Sequence, residues 1–347
     1  MNGHYQIISD RVLDQVSLEP LRGKRVLITG SNGLLGSHLA SVIARSNQRQ
    51  ALAARVLCLS RSKPVSWLVP VLASPGFSFS QLDLASGLPP RLSPPDFVIH
   101  AATYGQPKKF LENPSSTMIL NTQTTHELLE LVSAVGGSLL FMSSSEIYGS
   151  PPAEFTPTRE DYPGNVAPLD QRSPYTSSKR MGETWCKVYQ ESRGIRARIA
   201  RVSSAYGPGA NLTDDRVLNV LIRGALEMNE IRLMDQGRQR RRWLYISDAL
   251  VMLLHILLRG RELVYNVAGD DLRSVAELGS YIGELVGVPV ILPPDEQHAE
   301  HTAGAPALID IDISRIRAEA GLGPLIPLRE GLAPCIQWTR DLMEGAV

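Results

Sequence analysis

The sequence predicts an α/β protein built on a doubly wound parallel sheet, and three observations support this prediction. Short apolar runs alternate with amphipathic segments over the first two-thirds of the chain, as in parallel strands joined by helices. A glycine-rich turn directly follows the first apolar run. The composition is that of an ordinary globular protein, because 43% of the 347 residues are hydrophobic and 20% are charged.

Six apolar runs are predicted to be strands, because each is short and is bounded by polar or turn-forming residues. In chain order they are residues 25–30, 54–60, 77–83, 96–102, 138–144 and 195–204. Amphipathic helices are predicted over residues 113–135, 175–193 and 274–285. The run 249–258 is too short to span a bilayer and is interpreted as a buried helix, with His255 as a core histidine.

The alternating pattern changes after Tyr206, where "YGPGANLTDD" has the composition of a loop. Residues 1–21 are therefore interpreted as an N-terminal extension, and residues 22–205 as a nucleotide-binding domain to which residues 243–267 return. Residues 206–242 and 268–347 are predicted to form a smaller, interleaved α/β domain that binds the substrate.

Charge and cysteine content narrow the classes of function. With 35 basic and 35 acidic side chains, nothing favours nucleic acid or membrane as a partner. Three widely spaced cysteines form neither a disulfide framework nor a metal site, so no metal is expected. The N-terminus lacks the pattern of a signal peptide. A reducing, cytoplasmic location is expected.

The turn after the first strand reads "TGSNGLLGSHLA", with Gly30, Gly33 and Gly36 three residues apart. Glycines allow a tight turn, close approach of a pyrophosphate, and packing of the next helix on the strand. The N-terminus of that helix is suited to bind phosphates. Since the motif follows a strand and opens a helix, it favours a Rossmann-like dinucleotide site over a merely structural turn.

A second motif, "YTSSK", places Tyr175 and Lys179 four residues apart. On a helix such residues share a face, so the ammonium group can favour the phenolate and lower the pKa of the tyrosine. A tyrosine thereby becomes an acid and base near neutral pH. The pair alone is common, but it gains weight because it follows the glycine turn and the serine-bearing end of the fifth strand.

The order of "TGSNGLLG", "HAATYG", "MSSSEIYG", "YTSSKRMGE", "RVSSAYGPG" and "RRRWLYISDAL" resembles an extended short-chain dehydrogenase/reductase of the nucleotide-sugar epimerase, dehydratase and decarboxylase group. The resemblance covers almost the whole chain beyond the first 20 residues. Within that group, "ENPSSTMILNTQTTHELLEL" and "EDYPGNVAPLDQRSPYTSSKR" look most like UDP-glucuronate decarboxylases.

The resemblance implies a catalytic role for three residues. Tyr175 would take the proton from a sugar hydroxyl, usually at C4, while hydride leaves the same carbon for a nicotinamide. Lys179 would hold the nicotinamide ribose and depress the pKa of the tyrosine. Ser144 would hydrogen-bond the same hydroxyl and stabilise developing charge.

It also implies residues that bind the cofactor and the substrate. In the cofactor site, Asp83 would contact the adenine. Ala101 and Ala102 would leave room for the cofactor, and Asn121 would brace the strand ends. That site would also contain Gly30, Asn32, Gly33, Leu34, Gly36, Ser60, Arg61 and Leu84, with Tyr175 and Lys179. For the substrate, a nucleotide-diphosphate sugar, the residues are Tyr104, Ser145, Ser204, Arg216 and Arg241, and Arg241 would bind the diphosphate.

Glu146, in "SSSEIYG", indicates the type of reaction. Once C4 is a ketone, the proton on C5 is acidic and a uronate carboxyl is readily lost, so a carboxylate near C5 can move a proton there. The resemblance implies that dehydratases and decarboxylases carry such an acid, whereas simple 4-epimerases do not require it. Hexose 4,6-dehydratases have an Asp-Glu pair where this chain has Ser145 and Glu146. Alternatively, Glu146 caps a turn.

Two departures from the family pattern leave the ligands open. Ser60 and Arg61 stand where NAD users place an acid, so the expected cofactor is NAD but NADP is possible. Ser204 stands where the family often has an asparagine that contacts the substrate phosphate.

The predicted function is therefore decarboxylation of a UDP-hexuronate through a 4-keto intermediate. The alternatives are a nucleotide-sugar 4-epimerase or dehydratase, a net reductase and a non-catalytic dinucleotide-binding sensor. The helices over residues 113–135 and 175–193 predict a homodimer, because their equivalents in the family form a four-helix bundle across a two-fold axis.

Overall fold

The computed structural model describes residues 3–89, 91–294 and 306–346. The helices are α1 Gly3–Leu13, α2 Leu34–Gln50, α3 Val69–Leu72, α4 Pro107–Glu112, α5 Pro114–Asn121, α6 Gln123–Ser133, α7 Ser173–Arg193, α8 Val217–Glu227, α9 Ile246–Arg259, α10 Val275–Val286, α11 Ser314–Ala320 and α12 Leu328–Met343. The strands are β1 Arg25–Thr29, β2 Arg55–Ser60, β3 Phe77–Gln81, β4 Phe97–His100, β5 Ser138–Ser144, β6 Arg196–Val202, β7 Ala205–Tyr206, β8 Ile231–Arg232, β9 Arg240–Tyr245, β10 Val264–Val267, β11 Asp271–Ser274, β12 Val290–Ile291 and β13 Leu308–Ile309. Parts of the predicted extension and C-terminal domain, residues 1–2, 295–305 and 347, lie outside the described residues.

A seven-stranded parallel sheet forms the centre of the molecule, with strand order β10-β6-β5-β4-β1-β2-β3. Its first six strands in chain order are the six predicted runs, shortened by a residue or more at most ends. The chain reverses its direction of winding between β1 and β4, which are neighbours. A crevice opens at the carboxyl ends of the strands at such a point. The predicted fold class, a Rossmann-like doubly wound sheet, is confirmed.

The predicted buried helix is α9, which packs against β5 and β6 on one face of the sheet. Most of its side chains are fully buried. His255 is half-buried and lies 3.3 Å from the Glu319 carboxylate, so its ring has a polar partner. Within the described ranges no helix is both long and apolar enough to cross a membrane.

Two smaller sheets are formed by strands from the second half of the chain. Strand β9 pairs in parallel with β7 and β13 and antiparallel with β11, and β12 pairs with β8. Helix α9 and strand β10, which lie between these segments in sequence, belong to the central sheet and its cover. The second half of the chain therefore alternates between the two parts of the molecule.

Helix α1, in the predicted N-terminal extension, packs against α2 and α9. The ring of Tyr5 is fully buried and stacks on His38 with centroids 3.9 Å apart. Its hydroxyl shares a hydrogen bond of 2.9 Å with Ser37 Oγ. Burial lowers the pKa of His38 to about 4, so this imidazole is neutral near pH 7. The extension thus contributes side chains to the core.

The single helix predicted over residues 113–135 is two helices, α5 and α6, which meet at Thr122. The Thr122 hydroxyl donates to the carbonyl of Met118 at 2.7 Å. Hydroxyls that bond the carbonyl one turn back commonly bend helices. The apolar pattern continues across the bend, which explains why the sequence predicted one element.

Candidate active site

The glycine turn brings the backbone of β1 against the chain that leaves β4. Gly30 has φ +70°, and a Cβ there would lie 2.7 Å from the carbonyl carbon of Ala101 and 2.8 Å from Cα of Ala102. A Cβ at Gly36 would lie 2.4 Å from the Gly30 oxygen. Gly33 donates to the same oxygen at 2.9 Å and directly precedes α2. Larger side chains would displace the start of the helix.

This turn has the features of a phosphate cradle. The first backbone N–H groups of the 17-residue helix α2, from Leu34 onward, have no partner within the helix. The Asn32 amide nitrogen donates to Ser62 and Lys63, whereas its buried oxygen Oδ1 lacks a partner within the described part of the chain. The partial positive charge at the N-terminus of α2 and the Oδ1 atom of Asn32 therefore lie where the glycines leave space for a ligand. The turn fits a dinucleotide.

The other predicted cofactor residues lie at the carboxyl ends of neighbouring strands. Ser60 ends β2, and Asp83 follows β3, where its carboxylate accepts from the backbone N–H of Ala85 at 3.0 Å. Leu84 is buried next to it. Parallel strands end at one edge of the sheet, so these residues share the edge that holds the glycine turn.

Arg61 is an exposed residue that contacts Tyr104. Its guanidinium lies 4.9 Å from the centroid of the tyrosine ring, and Nη1 donates to the hydroxyl. The structure thus brings together one residue expected to bind the cofactor and one expected to bind the substrate. In this arrangement the guanidinium is engaged by the phenol ring.

Tyr175 lies in the first turn of α7 and is 7% exposed. Its ring stacks on Phe110 with centroids 4.7 Å apart. Burial and the negative charge of Glu146 raise the pKa of Tyr175, while a hydrogen bond to Ser144 and the charge of Arg172 oppose this. The expectation of a lowered pKa is wrong for this geometry, because desolvation of the phenolate outweighs the nearby cations.

Lys179 lies one turn further along α7 and is 2% exposed. Its Nζ donates to the Met142 carbonyl at 2.5 Å and lies 4.7 Å from the centroid of Phe141. The distance to the centroid of Tyr175 is 5.9 Å. Burial lowers the pKa of Lys179 to about 7, and Glu183 opposes this shift. Near neutral pH the charge of this lysine is therefore finely balanced.

Glu146 lies in a short helical turn, Ser145–Tyr148, directly after β5. The side chain that caps this turn is Ser144, whose Oγ accepts from the Glu146 N–H at 3.2 Å. The carboxylate of Glu146 accepts instead from Arg172, with Nη2 at 2.6 and 2.8 Å. Arg172 lies against the ring of Phe110 at 4.9 Å. Ser145, the first residue of this turn, is also buried.

Arg241, on β9, lies near the charged side chains of Glu146 and Arg172. Burial lowers its pKa, with the charge of Glu146 acting against the shift and that of Arg172 adding to it. Its Nη2 donates to Gln239 at 3.0 Å, and its buried Nε has no partner within the described ranges. Two guanidinium groups thus face one carboxylate, which leaves positive charge for an anionic ligand.

Two further predicted substrate residues have partners of their own. Arg216 donates from Nε to both carboxylate oxygens of Asp214 at 3.0 Å. The backbone carbonyl of Ser204 accepts from Leu244 at 3.1 Å. These contacts tie Ser204 to β9, whereas Arg216 is held within its own loop.

Asn121 is fully buried and donates from Nδ2 to Ser178 Oγ at 3.0 Å. It therefore braces the helix that carries Tyr175 and Lys179, whereas it was expected to brace the strand ends. Gly182 permits this close packing, because a Cβ there would lie 2.4 Å from the Phe141 ring and 2.6 Å from the Asn121 carbonyl oxygen.

Sequence reasoning missed three residues of this site: Arg172, Phe110 and Glu183. Arg172 lies three residues before Tyr175 in "QRSPY", which was a usable signal for a residue on the same helical turn. Phe110 and Glu183 belong to ordinary helical patterns, and nothing in their spacing distinguishes them from core or surface positions. Among the described residues, no cluster of His, Cys, Asp or Glu is arranged to hold a metal ion.

Comparisons with known proteins agree with this geometry. Residues 26–268 match the model of the NAD dependent epimerase/dehydratase family. UDP-glucuronic acid decarboxylase 6 of Arabidopsis thaliana is 30% identical over 309 residues, covering 89% of this chain and 86% of that protein. UDP-glucuronic acid decarboxylase 1 of Xenopus tropicalis is 28% identical over 321 residues, covering 92% and 73%.

Solved structures show the same fold. An NAD-dependent NDP-hexosamine 5,6-dehydratase involved in tunicamycin biosynthesis aligns with a TM-score of 0.75 at 25% identity, covering 92% of this chain and 98% of that one. The dTDP-glucose 4,6-dehydratase of Streptomyces venezuelae, solved with NAD bound, aligns with a TM-score of 0.79 at 24% identity and the same coverage.

Proposed function

The chain belongs to the NAD dependent epimerase/dehydratase family, and on this premise we propose that it decarboxylates a UDP-hexuronate through a 4-keto intermediate. The observation that carries the proposal is the placement of Glu146 beside Tyr175, close enough for its charge to raise the pKa of the phenol. The site thus combines Tyr175, for oxidation at C4, with Glu146, for proton transfer at C5. The relatives named UDP-glucuronic acid decarboxylases support the choice of substrate.

A bound nicotinamide supplies the hydride acceptor and returns the hydride, so the overall reaction is redox-neutral. The chain's own residues move the protons. Tyr175, protonated at rest because its pKa is raised, is the group that donates to and accepts from the oxygen on C4. Ser144, at the end of β5 and close enough to Tyr175 to lower the pKa of the phenol, is the group that would stabilise charge on the same oxygen. Removal of the C4 hydroxyl proton requires the phenolate, so Tyr175 must first release its own proton to solvent, and a charged Lys179 favours that ionisation.

Glu146 acts after oxidation. Loss of carbon dioxide from a β-keto acid leaves an enolate, whose carbon C5 must receive a proton. Glu146 lies in the turn after β5, next to Ser144, and is the candidate to take up a proton from solvent and pass it to C5. Arg172 fixes the direction of its carboxylate through two nitrogens. Ser145 lacks the acid that 4,6-dehydration would use to protonate a leaving hydroxyl.

The nucleotide-diphosphate part of the substrate is assigned to Arg241. Its buried Nε has no partner within the described residues, and its charge is only partly compensated. The cofactor is assigned as NAD, because Arg61 is engaged with Tyr104. Since the hydride returns to the same sugar, the dinucleotide remains bound through the cycle, and denaturing the purified protein should release NAD rather than NADP.

A homodimer is proposed through α5 and α7. These helices expose Met118, Met181 and Val188, which are 47%, 49% and 42% exposed. Large apolar side chains on one pair of helices indicate a surface that a second copy can cover. A cytoplasmic location is proposed because Cys58, Cys186 and Cys335 are free thiols in the structure.

A UDP-hexuronate 4-epimerase is the second candidate. It is favoured by one observation: both carboxylate oxygens of Glu146 are engaged by Arg172. If that ion pair persists during the cycle, Glu146 cannot reach C5, and the remaining residues suffice for oxidation and reduction at C4. A sensor without catalysis would have no use for a proton donor such as Tyr175, which the site holds near Lys179 and Glu146.

The test is mass analysis of the products from a panel of nucleotide hexoses and hexuronates. Loss of carbon dioxide is expected from a UDP-hexuronate. Loss of water, an unchanged mass with a new sugar, or a gain of two hydrogens would instead identify a dehydratase, an epimerase or a reductase.

A further inference from the structure

The end of strand β5 meets successive turns of helix α7. Lys179 and Glu183 are one turn apart on α7, on the face that also carries Tyr175. Lys179 donates to the carbonyl of Met142, and the side chain of the next strand residue, Ser143, donates to Glu183 Oε1 at 2.6 Å. The lysine and the acid are therefore fixed to adjacent residues of one strand.

Glu183 is a buried carboxylate with a full set of partners. Arg201, on β6, donates to both of its oxygens, from Nη2 at 2.7 Å and from Nε at 3.0 Å. The two side chains are 12% and 11% exposed. Arg201 is held on its other side by Tyr148, whose hydroxyl accepts from Nη1 at 2.8 Å. The carboxylate therefore has one fixed position, on the turn of α7 that follows Lys179.

We propose that Glu183 is a positioning residue for the proposed reaction, and that its carboxylate keeps the buried ammonium group of Lys179 charged. The inference depends on the proposed function only for the use made of Lys179. Its physical part, the effect of one side chain on the charge of another, can be measured without any substrate.

The groups around Lys179 support this role. Burial of the ammonium group lowers the pKa of Lys179. The negative charge of Glu183 is the largest influence that raises this pKa. Around Lys179, Tyr175 and Cys186 are neutral near pH 7 because their pKa values are raised, and His100 on β4 is neutral because its pKa is lowered to about 3. The Glu146 carboxylate beside Tyr175 is compensated by Arg172. Arg201 adds a positive charge beyond Glu183. The Glu183 carboxylate is thus the negative charge that stabilises the ammonium form of Lys179.

The direction of the effect follows from acid–base equilibrium. A lysine is charged below its pKa, which for Lys179 is about 7. Removal of the Glu183 carboxylate lowers that pKa further, so the ammonium form is lost at a lower pH. The phenolate of Tyr175 would then lose its neighbouring cation in the pH range where the wild-type protein still has it.

The test compares Glu183→Gln with Glu191→Gln. Both change one glutamate of α7 to its neutral isostere, but Glu191 forms an exposed pair with Lys187 at 3.0 Å. The sequence contains only six lysines, so NMR of protein labelled at the lysine ε-carbon can follow each one as pH changes. The Lys179 signal is the one missing from Lys179→Arg. In Glu183→Gln its midpoint should fall by about one pH unit or more.

A second variant, Glu183→Gln with Arg201→Gln, removes both buried charges together, since the single variant leaves Arg201 unpaired and risks misfolding. The titration midpoint of Lys179 should fall in this protein also. The decrease in NAD affinity at alkaline pH should then begin at a correspondingly lower pH. An unchanged midpoint in a folded double variant, or an equal shift in Glu191→Gln, would overturn the proposal. Failure of the wild type to convert any nucleotide sugar would instead count against the proposed function alone.

Discussion

Arg172 holds both oxygens of the Glu146 carboxylate in a bidentate ion pair, and the two side chains are only 6% and 16% exposed. Both are thus largely removed from water, and each compensates the charge of the other. In a buried pair, loss of one partner costs more than loss of both, because an uncompensated charge remains.

The first prediction concerns stability. Arg172→Met and Glu146→Gln should each lower the free energy of unfolding, Arg172→Met by about 3 kcal/mol because it leaves a carboxylate unpaired. The double variant should recover part of that loss. Urea unfolding of the four proteins measures the coupling, and a double variant that loses the full sum would show that the pair is not coupled.

The second prediction separates oxidation from the later step. Glu146→Gln should still reduce the bound cofactor when UDP-hexuronate is added, visible as nicotinamide absorbance, yet turnover should fall by about 10² to 10⁴. Glu154→Gln, a change at an exposed residue nearby in sequence, is the control and should behave as wild type. Near-normal turnover of Glu146→Gln would favour the 4-epimerase.

The third prediction concerns the first proton transfer. Tyr175→Phe keeps the ring that stacks on Phe110 and removes the hydroxyl that bonds Ser144. Neither reduction of the cofactor nor product should then appear, with a loss of about 10² to 10⁴ in rate and unchanged affinity for NAD. A protein that still reduces its cofactor would place the acid–base group elsewhere.

The fourth prediction concerns the glycine turn. Gly36→Ala places a Cβ 2.4 Å from the Gly30 carbonyl oxygen, so the start of α2 must shift away from the turn. NAD affinity, measured by calorimetry on protein freed of nucleotide, should fall by about tenfold or more. Gly105→Ala is the matched control, because no heavy atom lies within 4 Å of its Cβ position. Equal losses of NAD affinity in both variants would contradict the assignment of the glycine turn as the phosphate-binding site.

The fifth prediction concerns assembly. Met181→Glu places a charge on the exposed face of α7, where the methionine is 49% exposed, and should convert a dimer into monomers. Met228→Glu, at a more exposed methionine after α8, should leave the mass unchanged. Light scattering at micromolar concentration measures both. A wild-type protein that is already monomeric would refute the dimer.

Much of the fold could be predicted because apolar periodicity reports burial. Strand β5 is buried along its whole length and has an uninterrupted apolar centre at residues 139–142, and the glycine turn is fixed by steric demands that only glycine meets. The bend at Thr122 was missed because the apolar pattern continues across it.

The charge pairs of the site were less accessible to sequence reasoning. Arg172 and Glu146 are 26 residues apart, and Glu183 on α7 pairs with Arg201 on β6, so only the folded chain brings the partners together. The raised pKa of Tyr175 also depends on burial, which spacing alone does not reveal. The sequence predicted the candidate reacting groups, whereas the charges and burial that surround them could be seen only in the fold.

The position of helix α1 bears on how this protein can be shortened. The stretch that matches the family begins at residue 26, yet Tyr5 lies against His38 and Ser37 on the helix that starts at the glycine turn. The Tyr5 ring also fills space beside Gly209, where a Cβ would lie 2.5 Å from its hydroxyl. A version trimmed to the matched stretch would lose these contacts and expose the buried side of the helix that begins at the dinucleotide cradle, so we expect a shortened protein to be more stable when it keeps the N-terminal helix.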